Sequence, residues 1–142
     1  MSSFVVNIVT PSGIIYDHEA KFLVANTTNG SLGVLPNHAP LIAPLQIDAV
    51  RIDLNNNDHD QSEWIAVNGG IIEIRDNVVT ILANSAETEG NIDIARAEMA
   101  KQRAKEKIAM AKEHKDESID MDRAEVALHR AINRLNVANK HK

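Results

Sequence analysis

The side chains best suited to binding chemistry are arginines in the last third of the chain. Asp93, Arg96 and Arg103 lie in one stretch, and Arg123, Arg130 and Arg134 lie in a second. Seven residues separate Arg96 from Arg103 and Arg123 from Arg130, with Arg134 four further on. On helices, each set therefore shares a face. A guanidinium is a planar fork of donors that meets phosphate oxygens two at a time, and a nearby carboxylate can accept from the amino or hydroxyl groups of a nucleoside. A plainer description fits the same residues: solvated charges pairing along their own helix, each pair stabilising by roughly a few tenths of a kcal/mol. Spacing alone leaves both readings open.

Catalytic chemistry has no comparable constellation. The six histidines (His18, His38, His59, His114, His129 and His141) show no spacing of three or four and no HExxH context, so no metal site is expected. His38 stands between Pro36 and Pro40 and reads as a hydrogen-bonding partner that orders a loop. Gly30-x-x-Gly33 is too short for a phosphate loop of the GxxxxGKS type, and no Ser-His-Asp spacing suggests a nucleophile. The absence of cysteine removes disulfides, thiolate metal sites and cysteine nucleophiles together.

Two regions of different period must position these residues. From Phe4 to Ala83 short β-rich segments recur every 8–12 residues, as in a sandwich or barrel. The expected strands are Phe4–Val9, Ile14–Tyr16, Lys21–Ala25, Leu41–Leu45, Ala49–Leu54, Glu63–Val67, Ile71–Arg75 and Val78–Leu82. Turns are expected at Pro11-Ser12-Gly13, Asn29-Gly30, Asn55 to Gln61, Asn68-Gly69-Gly70 and Asp76-Asn77, where Asn and Gly tolerate positive φ. After Gly90 glycine and proline vanish, and Ala, Lys, Arg and Glu dominate. Helices are expected over 93–112, capped by Asn91 or Asp93, and over 120–139, capped by Ser118 or Asp120. The short polar link Glu113 to Ser118 makes them an antiparallel hairpin.

The fold expected is therefore α+β: an N-terminal antiparallel β-sandwich over residues 1–86, then a C-terminal antiparallel two-helix hairpin over 91–142. Ala97, Ala100, Ala104, Ile108 and Ala111 form the seam of the first helix. Met121, Ala124, Leu128, Ala131, Leu135 and Ala138 form that of the second. Seams this rich in alanine bury little apolar area, at about 25 cal/mol per Å², so two readings stand: a hairpin that a competing partner can open, or one that stays permanently docked. Charge follows the same division. Residues 1–90 carry three basic and eleven acidic side chains, a net of -8, and residues 91–142 carry twelve basic and nine acidic, a net of +3. That excess is too small and too mixed for a nucleic-acid arm. The first residues lack the pattern of a signal peptide, and no stretch approaches the roughly 18 apolar residues of a membrane span. The expectation is a soluble protein without direct membrane insertion.

Several segments resemble the epsilon subunits of F-type ATP synthases, bacterial ones in particular. The first runs from Gly30-Ser31-Leu32-Gly33 through Pro36-Asn37-His38-Ala39-Pro40-Leu41, and the second is Ala66-Val67-Asn68-Gly69-Gly70 followed by Val78 to Ala83. The tail adds Ile92-Asp93-Ile94-Ala95-Arg96-Ala97 and Arg123 to Leu128, so the match spans nearly the whole chain in order. The resemblance implies a non-catalytic central-stalk subunit at the cytoplasmic face of the cell membrane. Its sandwich would dock on the gamma subunit and the membrane c-ring through the loop holding Gly30, Ser31, Leu32, Gly33 and His38. Its helices would extend to block the alpha/beta catalytic hexamer, with Arg123, Arg130 and Arg134 making the inhibitory contact. Ser31 and Asn37 depart from the family pattern, where an acidic residue and a glycine are usual.

The resemblance implies no required cofactor, but some relatives bind ATP as a regulatory ligand. Their motif matches Ile92, Asp93, Arg96, Ala97, Arg103, Arg130 and Arg134 here, with Glu87 at an upstream acidic position. The rival from another class is a free-standing β-sandwich nucleotide sensor with no rotary partner.

Overall fold

The structure is a computed structural model that describes residues 2–54, 62–114 and 120–140. The expectations placed on Asn55 to Gln61, on the link through Ser118, and on His59 and His141 lie outside the described residues. Eight strands precede two helices: β1 (Phe4–Thr10), β2 (Gly13–Ala20), β3 (Phe22–Thr27), β4 (Gly30–Val34), β5 (Leu41–Asp53), β6 (Glu63–Arg75), β7 (Val78–Ala83) and β8 (Ala86–Thr88). A 3-10 turn at Glu89–Asn91 leads to α1 (Ile94–His114) and α2 (Met121–Ala138). The strands lie in the order β2-β1-β7-β6-β5-β3-β4, with β8 extending the β7 side of β6. All pairings are antiparallel except that of β1 with β7.

The sandwich arises because β5 and β6, thirteen residues each, continue through a corner instead of ending at it. Asn68-Gly69-Gly70 is therefore not the turn the sequence suggests. Gly69 (φ 81°) and Gly70 (φ 144°) take positive φ inside β6, and the ladder to β5 keeps its register past them. Core-facing parity slips by one residue at this corner within β6, within β5 and between β7 and β8. It passes from Ile65 and Val67 to Ile72 and Ile74, from Ala43 and Leu45 to Val50 and Ile52, and from Ile81 and Ala83 to Ala86. Glycine is required at the bend, since a Cβ on Gly70 would stand 2.1 Å from the Leu82 carbonyl oxygen. β4 and β8 were not anticipated. Two glycines in a five-residue strand and a three-residue strand offer almost no alternation to read.

The remaining turns form as their chemistry dictates. Asp76 and Asn77 sit at φ 50° and 63°, the left-handed pair that a two-residue hairpin needs. The Asp93 side chain accepts from the Arg96 amide at 3.0 Å and that of Asp120 from the Arg123 amide at 3.1 Å, so each aspartate caps its helix. In the seams Ala97, Ala104, Ala124, Ala131, Leu135 and Ala138 are buried. Ala100, Ile108, Ala111, Met121 and Leu128 are partly covered.

Candidate functional site

Two surfaces of the sheet carry apolar side chains outward, one on each side of the corner. Before it, Ala49, Ala66 and Glu87 are cross-strand neighbours on β5, β6 and β8. α2 settles on this small-residue row. Val137 and Ala138 pack with Ala66 and Ile92, flanked by Ala49 and Trp64. Asn133 donates from Nδ2 to the Val67 carbonyl at 3.1 Å in a buried site, and Arg134 Nε donates to Glu87 Oε1 at 3.0 Å. Lys140 Nζ lies 4.2 Å from the Trp64 ring centroid. α1 packs on α2 and has no comparable contact with the strands.

Beyond the corner the outer face is bare. Pro44 pairs with Ile71, Ile71 with Leu82, Leu82 with Val9, and Val9 with Ile14. This single apolar row crosses five strands and spans roughly 19 Å at about 4.8 Å per strand. Ile71, Leu82 and Ile14 are 46%, 53% and 69% exposed, and Ile42, on the same face of β5, is 72% exposed. A contiguous apolar stripe left exposed in this way is the kind of surface that other macromolecules cover. Sequence reading assigned these residues to strands without seeing the row. A register is needed to place Leu82 beside Ile71, and the slip at the corner hides which face each residue takes.

The loop expected to contact a partner is ordered by polar contacts within itself and with the β6–β7 turn. Gly30 (φ 121°) closes the β3–β4 hairpin, Ser31 is exposed, and Leu32 packs against the core. Gly33 leaves room for the Phe22 ring, whose atoms a Cβ would meet at 3.4 Å. Asn37 takes φ 64°, and its amide donates to Asn77 Oδ1 at 2.8 Å. His38 Nδ1 donates to the Ala39 carbonyl at 2.6 Å, a contact that helps order the loop.

The helical arginines do not converge on one point. Arg103 and Arg123 line a groove of about 540 Å³ between the helices, together with Lys107 and Asp120 over a floor of Ala100, Ala104, Ala124 and Ala127. Arg103 Nε also donates to the Met99 carbonyl at 3.4 Å. Arg96 is exposed beyond the residues of that groove. Arg130 is half-buried, with its Nε unpartnered. Arg134 is held by Glu87, so two residues grouped as nucleotide contacts bind each other in this state. Asp93 caps α1, Ile92 is buried under α2, and Ala97 is in the seam. Among the described residues no ion pair forms within either helix, and no group of three or more potential metal ligands is present.

The molecule is thus a folded-over sheet with one bare apolar face and a docked helical hairpin, a two-part α+β architecture. Residues 3–89 match the family model of the beta-sandwich domain of the ATP synthase delta/epsilon chain, and residues 91–139 match that of its long alpha-helix domain. The chain belongs to the ATP synthase delta/epsilon family, which is a non-catalytic stalk subunit. Its fold is similar to that of a chain in the Euglena gracilis mitochondrial ATP synthase, at TM-score 0.74 and 18% identity, covering 94% of this chain and 79% of that one. A chain from the central stalk and c-ring of the Tetrahymena thermophila mitochondrial ATP synthase matches at TM-score 0.50 and 18% identity, covering 61% and 66%.

Proposed function

We propose that this chain is the epsilon-type subunit of an ATP synthase central stalk, docked on the gamma subunit by the apolar row of Pro44, Ile71, Leu82, Val9 and Ile14. That row is the observation that carries the proposal, because burying the part of each Ile or Leu still exposed would contribute on the order of 1 kcal/mol per residue. In this reading the Gly30–Gly33 hairpin and the His38 loop face the membrane c-ring, and the chain sits peripherally at the cytoplasmic face of the cell membrane. No described helix is long and apolar enough to cross a membrane. A free-standing sensor would have no use for the row. Replacing Leu82 with aspartate should abolish co-purification with the gamma subunit while leaving the fold intact. Undiminished co-purification would remove the row from the interface.

The hairpin is the regulatory part. Extended, it offers Arg123, Arg130 and Arg134 to the acidic surface of the alpha/beta hexamer. Folded, it offers Arg103 and Arg123, which line the groove between the helices, to the phosphates of ATP; the unpartnered Nε of Arg130 and the exposed Arg96 lie outside that lining and join only if their side chains swing toward the ligand. Arg134 and Glu87 join only by exchanging each other for the ligand. A ligand shifts such an equilibrium by its differential affinity for the two states. Calorimetric titration with ATP should give saturable heat that Arg103→Ala removes, and no heat at millimolar ATP would leave these arginines as surface charge.

A further inference from the structure

The sequence holds two Asn-Gly pairs, Asn29-Gly30 and Asn68-Gly69. This dipeptide is open to an intramolecular reaction in which the backbone nitrogen of the glycine closes a succinimide ring on the asparagine Cγ. A side chain on the following residue crowds that approach, and glycine has none. The local chemistry is the same at both pairs, so only the fold can tell them apart.

The two sites offer the reaction opposite surroundings. Asn68 is 1% exposed inside β6. Its Nδ2 donates to Ser85 Oγ at 2.8 Å, its backbone amide donates to the Ser85 carbonyl at 2.9 Å, and its own carbonyl accepts from Asn84 Nδ2 at 3.5 Å. Turning the Asn68 side chain toward the Gly69 nitrogen would break the first of these bonds inside a packed sheet. Asn29 instead is exposed at the tip of the β3–β4 hairpin, and the Gly30 that follows it is exposed too. β4 ends the sheet and pairs with β3, so the tip can open without disturbing the core. Beyond its chain neighbours, no heavy atom lies within 4 Å of where a Gly30 Cβ would stand. Thr27 Oγ1 accepts from the Asn29 amide at 3.1 Å and donates to the Gly30 carbonyl at 2.8 Å. Neither bond holds the Asn29 side-chain amide or the Gly30 nitrogen, the two groups that react.

We infer that Asn29 is a site of spontaneous deamidation in the folded chain and that Asn68 is shielded from it. The Gly30 nitrogen bonds to Asn29 Cγ, the Cγ–Nδ2 bond breaks, and the departing amino group takes the amide proton away as ammonia. Water then adds to either carbonyl of the succinimide and opens it to aspartate or to isoaspartate. Both products add a negative charge to the hairpin tip. Isoaspartate also lengthens the main chain between the two groups that Thr27 ties. On the reading in which this hairpin faces the c-ring, an aged chain presents an altered tip there; the reaction itself does not depend on that reading. Full-length protein incubated at mildly alkaline pH should convert Asn29 at least about tenfold faster than Asn68, because only Asn68 must wait for the sheet to open. Peptide mass spectrometry and isoaspartyl methyltransferase labelling read both sites. In guanidinium chloride the two should react at similar rates, since folding alone separates them. Asn29→Gln should abolish the acidic isoform that accumulates in the folded protein. The inference is overturned if folded Asn29 reacts no faster than Asn68, if the difference persists in denaturant, or if the acidic isoform is undiminished in Asn29→Gln.

Discussion

At the residue scale, the consequences are clearest where a single side chain or its absence decides the geometry. Tyr16 is the one tyrosine, and its folded-state pKa is raised by burial and by Glu63. Below pH 10 the phenol is neutral whether the chain is folded or not, so the stabilisation linked to it is fully present there. Above pH 10 the unfolded chain loses the proton first, and stability should fall by about 1.4 kcal/mol per pH unit until the folded phenol also ionises. Denaturant titrations between pH 9 and 11 should show that slope, and Tyr16→Phe should flatten it. Since the hydroxyl lacks a full hydrogen bond, the same variant should be no less stable at pH 7. Residue chemistry was also the most legible level in the sequence. Asp93 and Asp120 cap as expected, and Asp76-Asn77 makes its left-handed turn. Gly69-Gly70 was misread because positive φ serves a bend inside a strand as well as a turn between strands.

At the element scale, α2 holds the hairpin to the sandwich and α1 rides on it. The attachment is concentrated in the last two turns of α2, where Asn133, Arg134, Val137 and Ala138 meet β5, β6 and β8. Arg134 and Glu87 are both only partly buried, so their pair is screened by solvent, and removing one partner should cost on the order of 1 kcal/mol. Arg134→Ala should therefore speed amide exchange throughout both helices while leaving the sandwich protected. Equal protection in the variant and the parent would show that the alanine seams and the Asn133 anchor hold the hairpin alone. The seams themselves were legible as alanine spaced by three and four. The anchor was not, because an asparagine at position 133 looks like any surface polar residue until the Val67 carbonyl is placed opposite it.

At the scale of the whole molecule, the corner in the sheet organises everything else. It gives the outer face two apolar regions, one covered by α2 and one left for a partner. The division into a β region and a helical region could be read from composition alone, through the loss of glycine and proline after Gly90. The bare row could not, since it is assembled from five strands by register. Its occupancy in the stalk is the central claim, and the chain lacks cysteine, so a single introduced thiol can report on it. Leu82→Cys should react readily with a maleimide in the isolated protein and become protected when the gamma subunit is bound. Lys105→Cys, on the exposed side of α1, should react at the same rate in both states. Equal reactivity of Cys at position 82 with and without a bound gamma subunit would contradict docking through this face.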